Sequence, residues 1–103
     1  MERFAWKAIV LPGMLDEYKR RHMEIWPDMT ALLNEAGIHN YTIWNTGNEL
    51  FGYYECESIE KANRVQAQSE IVKRWNESMA PLMRMVADGR EGESDMEQVF
   101  FHP

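Results

Sequence analysis

Two residues have both the type and the spacing to move a proton: Tyr18 and His22, within the stretch YKRRHMEIWP at positions 18–27. Four residues apart on a helix, they stand on one face, one above the other. The same stripe continues through Ile25, Met29, Leu32, Leu33 and Ala36, the inward face of an amphipathic helix. Imidazole gives and takes protons near neutrality, a phenol supplies a hydroxyl, and Trp26 adds a flat apolar surface one turn further on. Such a group can grip a small polar molecule that has an apolar face. The same spacing also describes ordinary core residues with tethered polar atoms, and spacing alone leaves both readings open.

Other chemistries find no footing. His22, His39 and His102 are far apart in the chain, and no HExxH or CxxC spacing offers metal ligands. No glycine-rich phosphate loop follows a strand, and no serine or cysteine nucleophile motif is present. The net charge of −6 argues against nucleic acid as a partner. The one basic run, Lys19 to Arg21, fans out around a helix and reads as a solvated face. No apolar run approaches the ~20 residues of a membrane span, and the N-terminus has no signal-peptide core. Cys56 is the only cysteine, so a reducing cytoplasm is the expected compartment.

At 103 residues, 45% of them hydrophobic, the chain is expected to form one domain spanning 1–103. Arg3 to Leu11, rich in aromatic and branched residues, predicts a strand ended by Pro12-Gly13. The helical pattern from Leu15 to Ala36 has Gly37 placed to cap it. Pro27, inside that pattern, must kink the helix or start a second one. Ile38–Trp44 and Glu49–Glu57 predict a hairpin around Asn45–Asn48. Ser58 is placed to cap a helix running to Gln68. Ser69 restarts the pattern, with Ile71, Val72, Trp75, Met79, Leu82, Met83 and Val86 on one face and Pro81 able to end it early. An acidic loop is expected over Asp88–Asp95 and a last strand over Met96–His102.

The order strand, helix, strand, strand, helix, strand is that of the α+β ferredoxin-like βαββαβ fold: a four-stranded antiparallel sheet with both helices on one face. The strands carry aromatic residues on both faces, which two sheets packed together would hide. A homodimer is therefore expected.

Taken together, Tyr18, Arg21, His22, Ile25-Trp26-Pro27, Gly37, Asn40-Tyr41, Leu50-Phe51, Arg74-Trp75 and the closing His-Pro resemble the L-rhamnose mutarotase family from Arg3 to Pro103. The resemblance implies a dimeric α/β-barrel type of ferredoxin-like protein that interconverts the α and β anomers of a deoxy-sugar without a cofactor. Position by position, His22 matches the family's proton donor, Tyr18 and Tyr41 its substrate-contacting tyrosines, and Trp75 the first of a tandem tryptophan pair. The second tryptophan is Asn76 here. An amide in place of an indole makes position 76 a candidate for sugar selection. Two other readings stay open on residue types alone: a cofactor-free monooxygenase, with Trp26, Trp44 and Met-rich helices lining its pocket, and a non-catalytic sugar-binding module.

Overall fold

The computed structural model describes residues 1–85 and 95–103. Strand β1 (Glu2–Val10) alternates as the sequence predicts: Trp6, Ala8 and Val10 are buried, while Ile9 faces solvent on the other side. Helix α1 (Leu15–Met23) ends when the Glu24 N–H closes on the Arg20 carbonyl at 3.1 Å. Trp26 is extended, at φ −63° and ψ 135°, because the residue before a proline is crowded out of the helical region. Pro27 then opens helix α2 (Pro27–Glu35), at a position where its missing N–H would have had no helical partner. Of the two alternatives at Pro27, a new helix is the outcome. Gly37 ends it with φ 75°, a left-handed turn that favours glycine.

Strands β2 (Ile38–Thr46) and β3 (Glu49–Cys56) pair around a two-residue turn at Gly47-Asn48. Asn45 and Thr46, expected in the loop, belong to the strand. Ser58 caps helix α3 (Ile59–Ala67), its hydroxyl accepting the Lys61 N–H at 3.2 Å. Ser69 does the same for helix α4 (Glu70–Met79) through Val72.

Beyond Met79 the structure departs from the helical pattern. Pro81 cannot donate to the preceding turn and its ring crowds the carbonyl four residues back, so the stripe does not run on through Leu82 and Met83. The chain turns there. The Leu11 N–H donates to the Leu82 carbonyl at 2.8 Å, and Met83–Met85 form strand β4 against Ala8–Val10. The fourth strand of the fold is thus Met83–Met85, not Met96–His102. Only Asp95–Met96 pair, as β5, further along the same edge of β1. Residues 97–103 form no strand, and Val99 and Phe100 are exposed. Val86 and most of the acidic stretch expected as a loop fall in 86–94, outside the described residues.

The strands lie in the order β2-β3-β1-β4, all pairs antiparallel, with β5 added at the free edge of β1. This is the ferredoxin-like arrangement. Among the described residues no helix is long and apolar enough to cross a membrane.

Candidate active site

One face of the sheet and the helices over it enclose a cavity of about 1070 Å³, lined among others by Tyr18, His22, Tyr41, Tyr54, Trp75 and Met79. That is at the upper end of small-molecule sites, roughly 300–1,000 Å³. Each polar member gets there for a local reason.

Tyr18 and His22 come from successive turns of α1, and their rings lie 4.3 Å apart at 34°. The Tyr18 carbonyl sits 3.0 Å from His22 Nδ1. A carbonyl can only accept, so in the neutral ring Nδ1 carries the proton and Nε2 keeps its lone pair. Burial pushes the His22 pKa down, and the bond to the Tyr18 carbonyl opposes it in part. Burial, together with the nearby Tyr41, raises the Tyr18 phenol well above its ordinary value.

Tyr41 owes its place to a bulge in β2. His39 pairs with Glu55 and Thr42 with Tyr53, so residues 40 and 41 together oppose the single residue Tyr54. Asn40 absorbs the extra length in the left-handed region, at φ 51°, and its amide donates to Glu55 at 2.8 Å. The bulge leaves Tyr41 on the helix-covered face beside Tyr54, ring centroids 5.0 Å apart. There its hydroxyl accepts the Trp6 indole N–H at 2.9 Å. Burial pushes the Tyr41 pKa up to about 12, with the Trp6 bond acting against it. Both phenols stay protonated at neutral pH.

Trp75 is buried on α4 and meets His22 edge-on at 5.3 Å. Asn76, one residue on, is exposed at the rim of the cavity, since neighbours on a helix diverge by about 100°. Trp26 does not line the cavity. The break before Pro27 turns its indole behind Trp75, edge to face at 5.2 Å. The sequence had placed Trp26 in the grip; the structure makes it a support for Trp75.

A further clamp had no signal in the sequence. The Arg21 guanidinium donates to the Ser78 carbonyl of α4 at 2.6 Å, and its Nε donates to Glu17 at 2.9 Å. Glu17 also pairs with Arg20, and the two arginines hold its carboxyl down to about 2. Arg21 therefore ties the helix bearing His22 to the helix bearing Trp75. Among the described residues no cluster of His, Cys, Asp or Glu is placed to hold a metal ion.

The structure is a ferredoxin-like sheet with a helix-covered cavity of small-molecule size, lined by an imidazole, phenols and an indole. Residues 3–102 match the family model for L-rhamnose mutarotase. The L-rhamnose mutarotase of Oceanobacillus iheyensis is 39% identical over 102 residues, 97% of each chain. That of an Escherichia coli strain is 38% identical over 105 residues, the full length of both. The chain belongs to the L-rhamnose mutarotase family, a family of isomerases. The crystal structure of L-rhamnose mutarotase from Formosa agariphila superimposes with a TM-score of 0.82 at 30% identity, covering 100% of both chains. Tetracenomycin F2 cyclase from Streptomyces glaucescens, a type-II polyketide cyclase, superimposes at 0.76 with 17% identity over 100% of this chain and 98% of its own. That second likeness speaks to the fold alone.

Proposed function

We propose that this chain interconverts the α and β anomers of L-rhamnopyranose, or of a related 6-deoxy sugar, with His22 as the central proton carrier. One observation carries the reading. His22 spends Nδ1–H on the Tyr18 carbonyl, which leaves Nε2, on a ring that lines the cavity, as the nitrogen free to work on a ligand. The pyranose carries an apolar C–H face for Trp75 and hydroxyls for Tyr18 and Tyr41.

The chemistry follows from the protonation states. Neutral His22 removes the proton of the anomeric hydroxyl through Nε2. The C1–O1 bond becomes a carbonyl, the C1–O5 bond breaks, and the ring oxygen takes a proton from a phenol, for which Tyr18 is our choice. The ring oxygen gains negative charge as the C1–O5 bond breaks, so the phenol donates to it in step with ring opening. Rotation about C1–C2 presents the other face of the aldehyde. On closure the phenolate takes the O5 proton back while the imidazolium protonates O1. The sugar leaves with the protons it brought, and each group returns to its starting state. His22 thus serves as base in one direction and donor in the other.

The open face of the sheet supports a homodimer. Trp44 there is 69% exposed, with Ile9 and Met96 also partly open to solvent, and burying such a patch against a second copy hides it from water. Saturation-transfer NMR of anomer exchange over L-rhamnose, L-fucose and L-mannose tests the activity. Acceleration of at least one is expected; no acceleration of any overturns the reading. Light scattering at micromolar concentration should give about twice 12.2 kDa, and Trp44→Asp should lower it to the single-chain mass.

A further inference from the structure

Trp6 belongs to no motif in the sequence, yet its indole is built into the site through two contacts. Trp6 and Gly52 face each other across the β1–β3 ladder. A Cβ at position 52 would stand 2.0 Å from Trp6 Cε2. The bare glycine backbone is therefore what allows the indole to lie flat across β3 and extend toward β2. At the far side its Nε1–H reaches the Tyr41 hydroxyl at 2.9 Å, in the place the β2 bulge has prepared. Three separate features, a glycine, a bulge with a left-handed asparagine and an indole, converge on one hydroxyl oxygen.

A phenol has one hydrogen to give and lone pairs to accept with. Indole N–H is a donor only, so it occupies a lone pair of Tyr41 and leaves the Tyr41 hydrogen to point elsewhere. We propose that Trp6 is a positioning residue which, acting through Tyr41, turns that hydroxyl into a hydrogen-bond donor aimed at a sugar oxygen. The inference rests on the reading of Tyr41 as a sugar contact. Donation from Trp6 also polarises the Tyr41 O–H and strengthens it as a donor, since chained hydrogen bonds reinforce one another. A residue on a strand, outside the helix that bears His22, thereby governs which sugar oxygens the site accepts.

The test is a double-mutant cycle on anomer exchange with Trp6→Phe, Tyr41→Phe and both together, read alongside the Trp6 indole resonance in ¹H–¹⁵N spectra. Trp6→Phe keeps a ring and removes the N–H. If Trp6 acts through the hydroxyl, its loss should lower kcat/KM by about five- to tenfold, the range of one net hydrogen bond. The same substitution should then cost little more in the Tyr41→Phe background. Losses that multiply would show Trp6 to act by packing alone and would overturn the proposal. In Tyr41→Phe the Trp6 indole resonance should shift; an unmoved resonance would remove the tether itself. Should Tyr41→Phe exchange anomers at the unaltered rate while the resonance shifts, the tether stands and Tyr41 is not a sugar contact. That result ends both the proposal and the Tyr41 part of the site. Should Trp6→Phe not fold, Trp6→Met takes its place in the cycle, removing the N–H while a flexible apolar side chain fills the space over Gly52.

Discussion

The helix-covered side of the sheet holds two cores that are packed by opposite means. Under α2 and α3 lie Ala36, Ile38, Cys56 and Ala62, with Tyr54 reaching from this core to the cavity wall. Ala36, Cys56 and Ala62 have no exposed surface at all. Small side chains let the helix backbones come down close to the strands and leave little to fill. Cys56 is one of these fillers, and burial pushes its thiol up, away from the reactive thiolate. Around α1, α4 and the first turn of α2 the core is Trp6, Ala8, Val10, Tyr18, Met29, Leu50, Trp75, Met79 and Leu82, with Trp26 and Tyr41 at its margin. Large, stiff rings meet edge-on there, and the cavity opens among them. A protein that must be both stable and hollow can divide the tasks: close packing at one end, rings held apart at the other.

The division can be broken at either end, and the largest effect is expected at the hollow one. His22→Ala should reduce anomer exchange by roughly 10²–10⁴-fold, with the thermal midpoint close to that of the parent, because the ring abuts a cavity that already exists. An unchanged rate by saturation-transfer NMR would remove His22 from the chemistry, and a collapse of the fold would return it to the core.

At the close-packed end the outcome should invert. Ala62→Leu forces three carbons into a space without room, and overpacking of this kind costs about 1–3 kcal/mol. Denaturant titration should register the loss, while exchange per folded molecule stays as it was. A fall in activity matching that of His22→Ala would mean that the two ends are not separate.

A subtler effect concerns pH. Burial holds the folded-state pKa of His22 below its ordinary 6.5, and the neutral form is the one poised to start ring opening. Exchange should therefore be flat through neutrality and fall only as pH drops through a value below 6.5. The stability linkage has the same sign. Between the depressed pKa and 6.5 the unfolded chain binds more protons than the folded one, so stability declines as pH falls through that window. His22→Gln should remove both dependences; a rate profile still breaking at the same pH would assign it to another group.

The smallest effect is expected at Asn76, which stands at the rim of the hollow core. Asn76→Trp should leave stability unchanged and alter the preference among L-rhamnose, L-fucose and L-mannose by less than about tenfold, the scale of modest pocket contacts. Identical preferences for both proteins would show that the rim does not choose the sugar.

Much of this was legible in the chain because it is local. A tyrosine and a histidine four apart on an apolar stripe must share a helix face, Gly37 and Ser58 cap where cap chemistry allows, and Pro27 had to break the helical pattern, by a kink or by a new helix. The strand order followed from the succession of periods. What the sequence could not determine is where backbone and side chains meet across long separations. Met83–Met85 carry the same apolar residues whether they continue a helix or join a sheet, and only the free edge of β1 decided for the sheet. Trp26 reads as part of the site until the turn before Pro27 rotates it behind Trp75. The Trp6–Tyr41 bond spans 35 positions and depends on a glycine in a third strand. Its existence rests on a bulge whose only mark in the sequence is one asparagine. Hydrogen-bond partners and helix-to-sheet distances depend on how whole elements pack, and the local periodicity of side chains does not encode that.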